Sequence, residues 1–430
     1  MPPSRLPVIA FAAAILLMTG ALGWLLIEMN RAPQAVAIPA AIPVRSDRPV
    51  IKTTSAPVAA PAVVEPASQA AKPAPKVQTL NVPGSIPNEA LLTFRTPEAL
   101  AAFRDRAALV GLEVLGYDPK LRSARVRFRD TSGLERDLNE HGDDYTHVGP
   151  NYLVRVPGLP QTDTANAGGR EPFRSQGLEM IGAAGDRSGW GQGVTVAVID
   201  SGISAHPSLR NAQITHIDLV NDGSAMNGHG TAMASLIAGS SETVGGVAPA
   251  VKLLDIRVAD TNGDSNTALL SSAIVKAADL GARVINISLG SSATSPMLEE
   301  AVRYAQSRNA VIVAAAGNEQ QNALSMPAGL SGVLSVGAVD ATGTQAYFSN
   351  SGSGLTLVAP GVGIVSGYAD NKLVIGSGTS QSTAITTGVV AYLLGRGYYS
   401  QNIIPLLTRT AKPLDAPNTA VGAGLIQVTK

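Results

Sequence analysis

Five apolar stretches mark the second half of the chain: VTVAVI at 194–199, LLDIRV at 253–258, RVINIS at 283–288, VIVAAA at 311–316 and VLSVGAV at 333–339. They run continuously rather than alternating with polar positions, which predicts strands covered on both faces. Stretches with helical spacing at 230–238, 267–280 and 297–308 fall between them. The pattern therefore predicts an α/β domain, a mostly parallel sheet with helices on both faces. In such a sheet the functional crevice opens at the carboxyl ends of the strands. Upstream, strands are predicted at 90–94, 112–117, 123–128 and 147–156, with helices at 97–109 and 132–139. That order, strand-helix-strand-strand-helix-strand, is the split βαβ pattern of a small ferredoxin-like α/β domain.

The amino terminus carries a different signal. Residues 6–27 form 22 consecutive positions without a charge, and about 20 such residues span a bilayer. The stretch exceeds the roughly 7–15 residues of a signal-peptide core, so it predicts an uncleaved transmembrane signal anchor. Arg5 precedes it, while Glu28 and Arg31 nearly cancel after it, which puts the short end in the cytoplasm and the bulk of the chain outside. Secretion after signal cleavage is the alternative. An Ala/Pro-rich linker follows at 28–80; Ala and Pro fill 22 of the 45 positions from 32 to 76, the composition of a semi-extended spacer. The predicted organisation continues with the small domain at 81–157, an exposed polar loop at 158–174 suited to a proteolytic nick, and a large domain at 175–430.

Composition narrows the chemistry. Lys plus Arg and Asp plus Glu balance at 32 each, so no overall field draws the protein to nucleic acid. There is no cysteine, which removes disulfides, thiolate metal sites and cysteine nucleophiles. His141, His147, His206 and His216 lack metal-ligand spacing, and DTNGDSN at 260–266 lacks the later bidentate Glu of a calcium loop and reads as a turn. Neither a GxGxxG after the first strand nor a GxxxxGK is present. No metal and no cofactor are expected.

Three residues carry chemistry. Asp200 directly follows the 194–199 strand, His229 sits at a helix start in NGHGTAMASLIAG, and Ser380 heads a helical run in GTSQSTAITTG. A serine hydroxyl is a poor nucleophile without an adjacent base, histidine is the natural base, and a buried carboxylate fixes its tautomer. Singly, each residue has an ordinary reading as a turn acid, a capping histidine or a helix cap. Together, in the order Asp, His, Ser, they match one of the three known chain orders of the hydrolytic triad.

VAVIDSGIS, NGHGTAMASLIAG, VINISLG, VIVAAAGNE, VLSVGAVDATGTQAYFSNSG, LVAPG and GTSQSTAITTG, across 189–394, resemble the signature segments of subtilisin-like serine proteases in order and spacing. The resemblance implies a subtilisin-like fold and a serine endopeptidase acting on protein or peptide substrates through an acyl-enzyme. It makes Asp200, His229 and Ser380 the triad and Asn318 the side-chain donor to the oxyanion. It makes Ser288, Leu289 and Gly290 the backbone partners of extended substrate, and Ala315, Ala316 and Gly317 the lining of the primary specificity pocket. It further implies a cis bond before Pro327. THVGPNYLVRV at 146–156 resembles the last strand of the family's propeptide, an intramolecular inhibitor, with self-processing expected after Val154 and within 155–174. Activity is expected to rise through roughly pH 6–8 as the base loses its proton.

Three departures stand out. The family usually has Met, small residues and Pro after the serine, where this chain has Gln381, Ser382, Thr383, Ala384 and Ile385. Ala232 replaces a histidine, and the loop at 240–246 looks too short for the family's calcium loop. The changed segment after Ser380 is the one support for an alternative, a catalytically silent peptide-binding adaptor of the same fold.

Overall fold

The computed structural model describes residues 74–157, 173 and 176–429. The expected membrane segment at 6–27, nearly all of the linker and almost the whole loop at 158–174 lie outside the described residues. Among the described residues no helix is long and apolar enough to cross a membrane.

The smaller part runs β1 (Lys76–Val77), β2 (Ser85–Phe94), α1 (Pro97–Arg106), β3 (Glu113–Asp118), β4 (Ser123–Arg127), α2 (Ser132–His141) and β5 (Tyr145–Arg155). Its sheet has the order β1-β5-β2-β4-β3. Thr96 caps α1 through its side chain, with Pro97 at the first helical position, where the missing N–H costs nothing. Phe94, Phe103 and Tyr145 cluster in its core, with ring centroids 4.8–6.2 Å apart.

The larger part is built on seven strands: β6 (Thr195–Asp200), β7 (Gln213–Asp218), β8 (Lys252–Arg257), β10 (Val284–Ile287), β11 (Val311–Ala315), β12 (Leu334–Val339) and β13 (Leu357–Pro360). All neighbours pair in parallel, in the order β13-β12-β11-β10-β6-β8-β7. The apolar runs are continuous because both faces are buried. Val196 and Val198 of β6 enter one core cluster, while Ala197 and Ile199 enter the other. The first face carries α3 (His229–Ala238) and α6 (Thr379–Gly395); the second carries α4 (Thr267–Asp279) and α5 (Pro296–Ser307). This is the parallel α/β architecture, covered by helices on both faces, expected from the pattern.

The chain turns away from β6 in both directions, which makes the carboxyl end of that strand the switch point of the sheet. Asp200 is its last residue. Further elements are absent from the sequence reading, among them β1, β7, β13, the short β9 (Asp264–Asn266), the hairpin of β14 (Ile364–Tyr368) and β15 (Lys372–Gly376), and α7 (Ser400–Thr410). Strand β9 replaces the expected turn at 260–266 in part, because it has a partner elsewhere in the chain: it pairs with β5 through Leu153, Val154 and Arg155.

Candidate active site

Three chain reversals deliver the site residues to the sheet's carboxyl edge. Gly202 has a positive φ of 91° just after Asp200. A Cβ on Gly230 would stand 2.4 Å from the Gly202 carbonyl oxygen, so only glycine there lets the α3 start close against the Asp200 turn. Ser201 joins the two, its hydroxyl accepting from the Gly230 N–H at 3.1 Å and lying 2.8 Å from the Asn227 carbonyl. The buried helix α6 is tied to β10 by Thr387, which donates to Asn286 at 2.9 Å; Asn286 in turn donates to Ser288.

The outcome is a closely assembled set. His229 Nδ1 lies 3.0 Å from each carboxylate oxygen of Asp200. Asp200 is fully buried, and its Oδ1 also accepts from the Ser201 N–H at 2.7 Å. The Ser380 hydroxyl donates to the Ser288 carbonyl at 3.2 Å; no hydrogen bond joins it to His229 among the described residues. His229, Ser380 and Asn318 nevertheless line one pocket, together with Tyr368, Gly378 and Gln381. Asn318 Oδ1 accepts from both the N–H and the hydroxyl of Thr379 at 2.9 Å. That pair of bonds consumes the acceptor end of the amide and leaves the NH₂ end available.

Ser288, Leu289 and Gly290 follow β10 at the same edge. Gly290 forms an antiparallel bridge with Arg155 of β5, each N–H donating to the other's carbonyl at 3.1 and 3.3 Å. With β9 on its other side, the end of β5 lies between two segments of the larger part, and Pro157 reaches the pocket shared by His229 and Ser380. Ala315, Ala316 and Gly317 close the end of β11; Gly317 has φ 110°, and a Cβ there would fall 2.2 Å from Asn350 Nδ2. The Met326–Pro327 bond is cis. Ala232 and Ala384 are buried within helices, and α6 runs uninterrupted through the position where the family usually has proline. Among the described residues no cluster of three or more His, Asp or Glu side chains is placed to hold a metal ion.

The sequence reading missed several residues. Tyr368 packs beside Gly228 and its hydroxyl donates to Asn227 Oδ1 at 3.3 Å; burial pushes its phenol above the usual range. It arrives on the unforeseen hairpin. His216 lies at the surface as expected, and its ring also pairs with buried Asp255 at 2.6 Å. Burial raises the Asp255 carboxyl against the hydrogen bonds of Ile203 N–H and His216 that lower it. Ile203 belongs to the turn after Asp200, so this second pair braces the same corner.

The fold thus brings an Asp–His pair and a serine at a helix start into one pocket. Residues 191–424 match the subtilase family, and the chain belongs to that family. It is 35% identical over 284 residues to the thermophilic serine proteinase of Bacillus sp. (strain AK1), covering 64% of this chain and 70% of that protein. It is 38% identical over 248 residues to the thermostable alkaline protease of Halalkalibacterium halodurans, covering 56% of this chain and 68% of that one. Among solved structures, fervidolysin from Fervidobacterium pennivorans superposes with a TM-score of 0.71 over 83% of this chain and 62% of its own, at 23% identity, a likeness of fold. The protease domain of PatA, solved as a point mutant, is 32% identical with a TM-score of 0.53, covering 57% of this chain and 95% of that one. The chain is accordingly a subtilisin-like serine endopeptidase.

Proposed function

We propose that Ser380 attacks the substrate carbonyl while His229 takes its proton and later returns it to the leaving amine. Asp200 holds His229 in the needed tautomer, and Asn318 Nδ2 with the Ser380 N–H stabilises the oxyanion. The observation that carries this reading is the double contact of His229 Nδ1 with buried Asp200, in the pocket that also contains Ser380 and Asn318. Ser288, Leu289 and Gly290 bind the extended substrate through their backbone, and Ala315, Ala316 and Gly317 line the primary pocket.

In the same reading, residues 81–157 are the enzyme's own propeptide and inhibitor. The bridge between Arg155 and Gly290 supports this, because it is the pairing that an extended substrate strand would make. Self-processing then falls within 155–174, and segment 6–27 tethers the enzyme to the membrane with its catalytic domain on the extracytoplasmic side.

The test is the intact mass of the full chain against Ser380→Ala. Cleavage of the unsubstituted chain alone, within 155–174, is the expected result. If both chains remain whole, the triad and self-processing reading falls. If both are cut alike, the cleavage is not the chain's own.

A further inference from the structure

We propose that Gln381 supplies a third hydrogen-bond donor to the oxyanion, through its side-chain NH₂. The inference rests on the assignment of Asn318 and the Ser380 N–H as the first two donors. Gln381 lines the pocket shared by Ser380, His229 and Asn318 and is only 6% exposed. Its amide makes no hydrogen bond with any described residue, and its Oε1 is buried without a partner. Buried side-chain amides are ordinarily satisfied, and an exception needs a reason.

The position of the amide supplies the reason. A Cβ on Gly378 would lie 2.8 Å from Gln381 Oε1, 3.3 Å from Asn318 Nδ2 and 3.7 Å from the Ser380 backbone nitrogen. The end of the Gln381 amide and the two donors thus surround one small region, left open because residue 378 is glycine. Among the described residues no hydrogen bond fixes which end of the amide faces that region, and a half-turn about its last torsion exchanges oxygen for NH₂ in place. Negative charge developing on the substrate oxygen favours the NH₂. Asn318 differs in that Thr379 has already consumed its acceptor end. The substrate, rather than the protein, completes the hydrogen bonding of Gln381. A thioether in this place would offer the oxyanion nothing.

The experiment compares Gln381→Met and Gln381→Glu with the unsubstituted full chain, with Ser380→Ala and Asn318→Ala as references. Turnover of an extended fluorogenic peptide is measured at pH 8, and competent sites are counted by end-point labelling with a fluorophosphonate. Gln381→Met is expected to lower kcat per labelled site roughly 10- to 100-fold with KM within about twofold, since one donor in such a site is worth up to roughly 10²–10³. Gln381→Glu, equal in size and negatively charged, is expected to fall further per labelled site, while Gln381→Met keeps the melting temperature of the parent.

Gln381→Met with unchanged kcat overturns the proposal, provided that Asn318→Ala is impaired. Gln381→Glu as active as the parent overturns it in favour of an acceptor role toward a substrate N–H. Undiminished activity in Ser380→Ala or Asn318→Ala overturns instead the assignment on which the proposal rests.

Discussion

A single hydroxyl illustrates how much of the site depends on residues that never touch substrate. Thr379 gives two bonds to Asn318 Oδ1, one from its backbone and one from its side chain. Replacing it with Val removes one and keeps the shape. With the amide less firmly held, kcat is expected to fall roughly tenfold with KM little changed, the equivalent of about 1.4 kcal/mol; initial-rate kinetics measure this directly. Gly230→Ala tests steric fit instead. The new methyl meets the Gly202 carbonyl oxygen at 2.4 Å, so stability should drop by about 1–3 kcal/mol in chemical denaturation and activity should drop with it. At this scale the sequence was most readable where structure is local: Asp200, His229, Ser380 and Asn318, the residues proposed to act, each sit in a short segment whose neighbours announce the turn. The His216–Asp255 pair was not readable, because it exists only through the pairing of β7 with β8, where the two residues face each other in register.

Among elements, the parallel strands were legible because burial on both faces writes an unbroken apolar run. Strand β9 was not. Its sequence, Asp264–Asn266, is polar and turn-like, and its pairing partner in β5 lies more than a hundred residues earlier. The β14–β15 hairpin was hidden for a related reason: β15 exposes Leu373 and Ile375 to solvent, so the usual inside-outside contrast is weak. What β9 does can be measured through its partner. Val154 is fully buried, in a cluster that also contains Val258, Leu270 and Leu289, whereas the Arg155 side chain is 66% exposed beside Asp264. Val154→Ala should therefore weaken the docking of β5 by about 2 kcal/mol, seen as faster amide exchange over Leu153–Arg155. Arg155→Ala should change it little, since exposed ion pairs contribute little.

For the whole molecule, the two parts meet, besides the strand pairing of β5, through an apolar contact and a buried polar chain. Leu91, Leu121, Val154 and Val156 enter the same cluster as α4 and α5. Glu89, 1% exposed, accepts from Asn151, whose own oxygen accepts from the Thr267 hydroxyl and the Ala268 N–H at the start of α4. Burial pushes the Glu89 carboxyl up, but the hydrogen bonds and charges of Arg125, Asn151 and Arg127 outweigh it and hold it below its ordinary value. A depressed value means that this stabilisation is fully present above the ordinary glutamate pKa of about 4.3 and is lost as pH falls through the lowered one. Acidification below about pH 4 should loosen the smaller part, and Glu89→Gln should flatten that dependence; proteolytic sensitivity measured from pH 6 to pH 3 reads both.

On the proposal that β5 lies in the substrate groove as a propeptide strand, β5 is also a cast of that groove. Val154 and Val156 are buried and Arg155 between them is open to water, so the mould has two apolar hollows separated by a position that reads nothing. Presented with a randomised peptide library, the emptied groove should return that same spacing: compact apolar side chains two residues apart, and indifference between them.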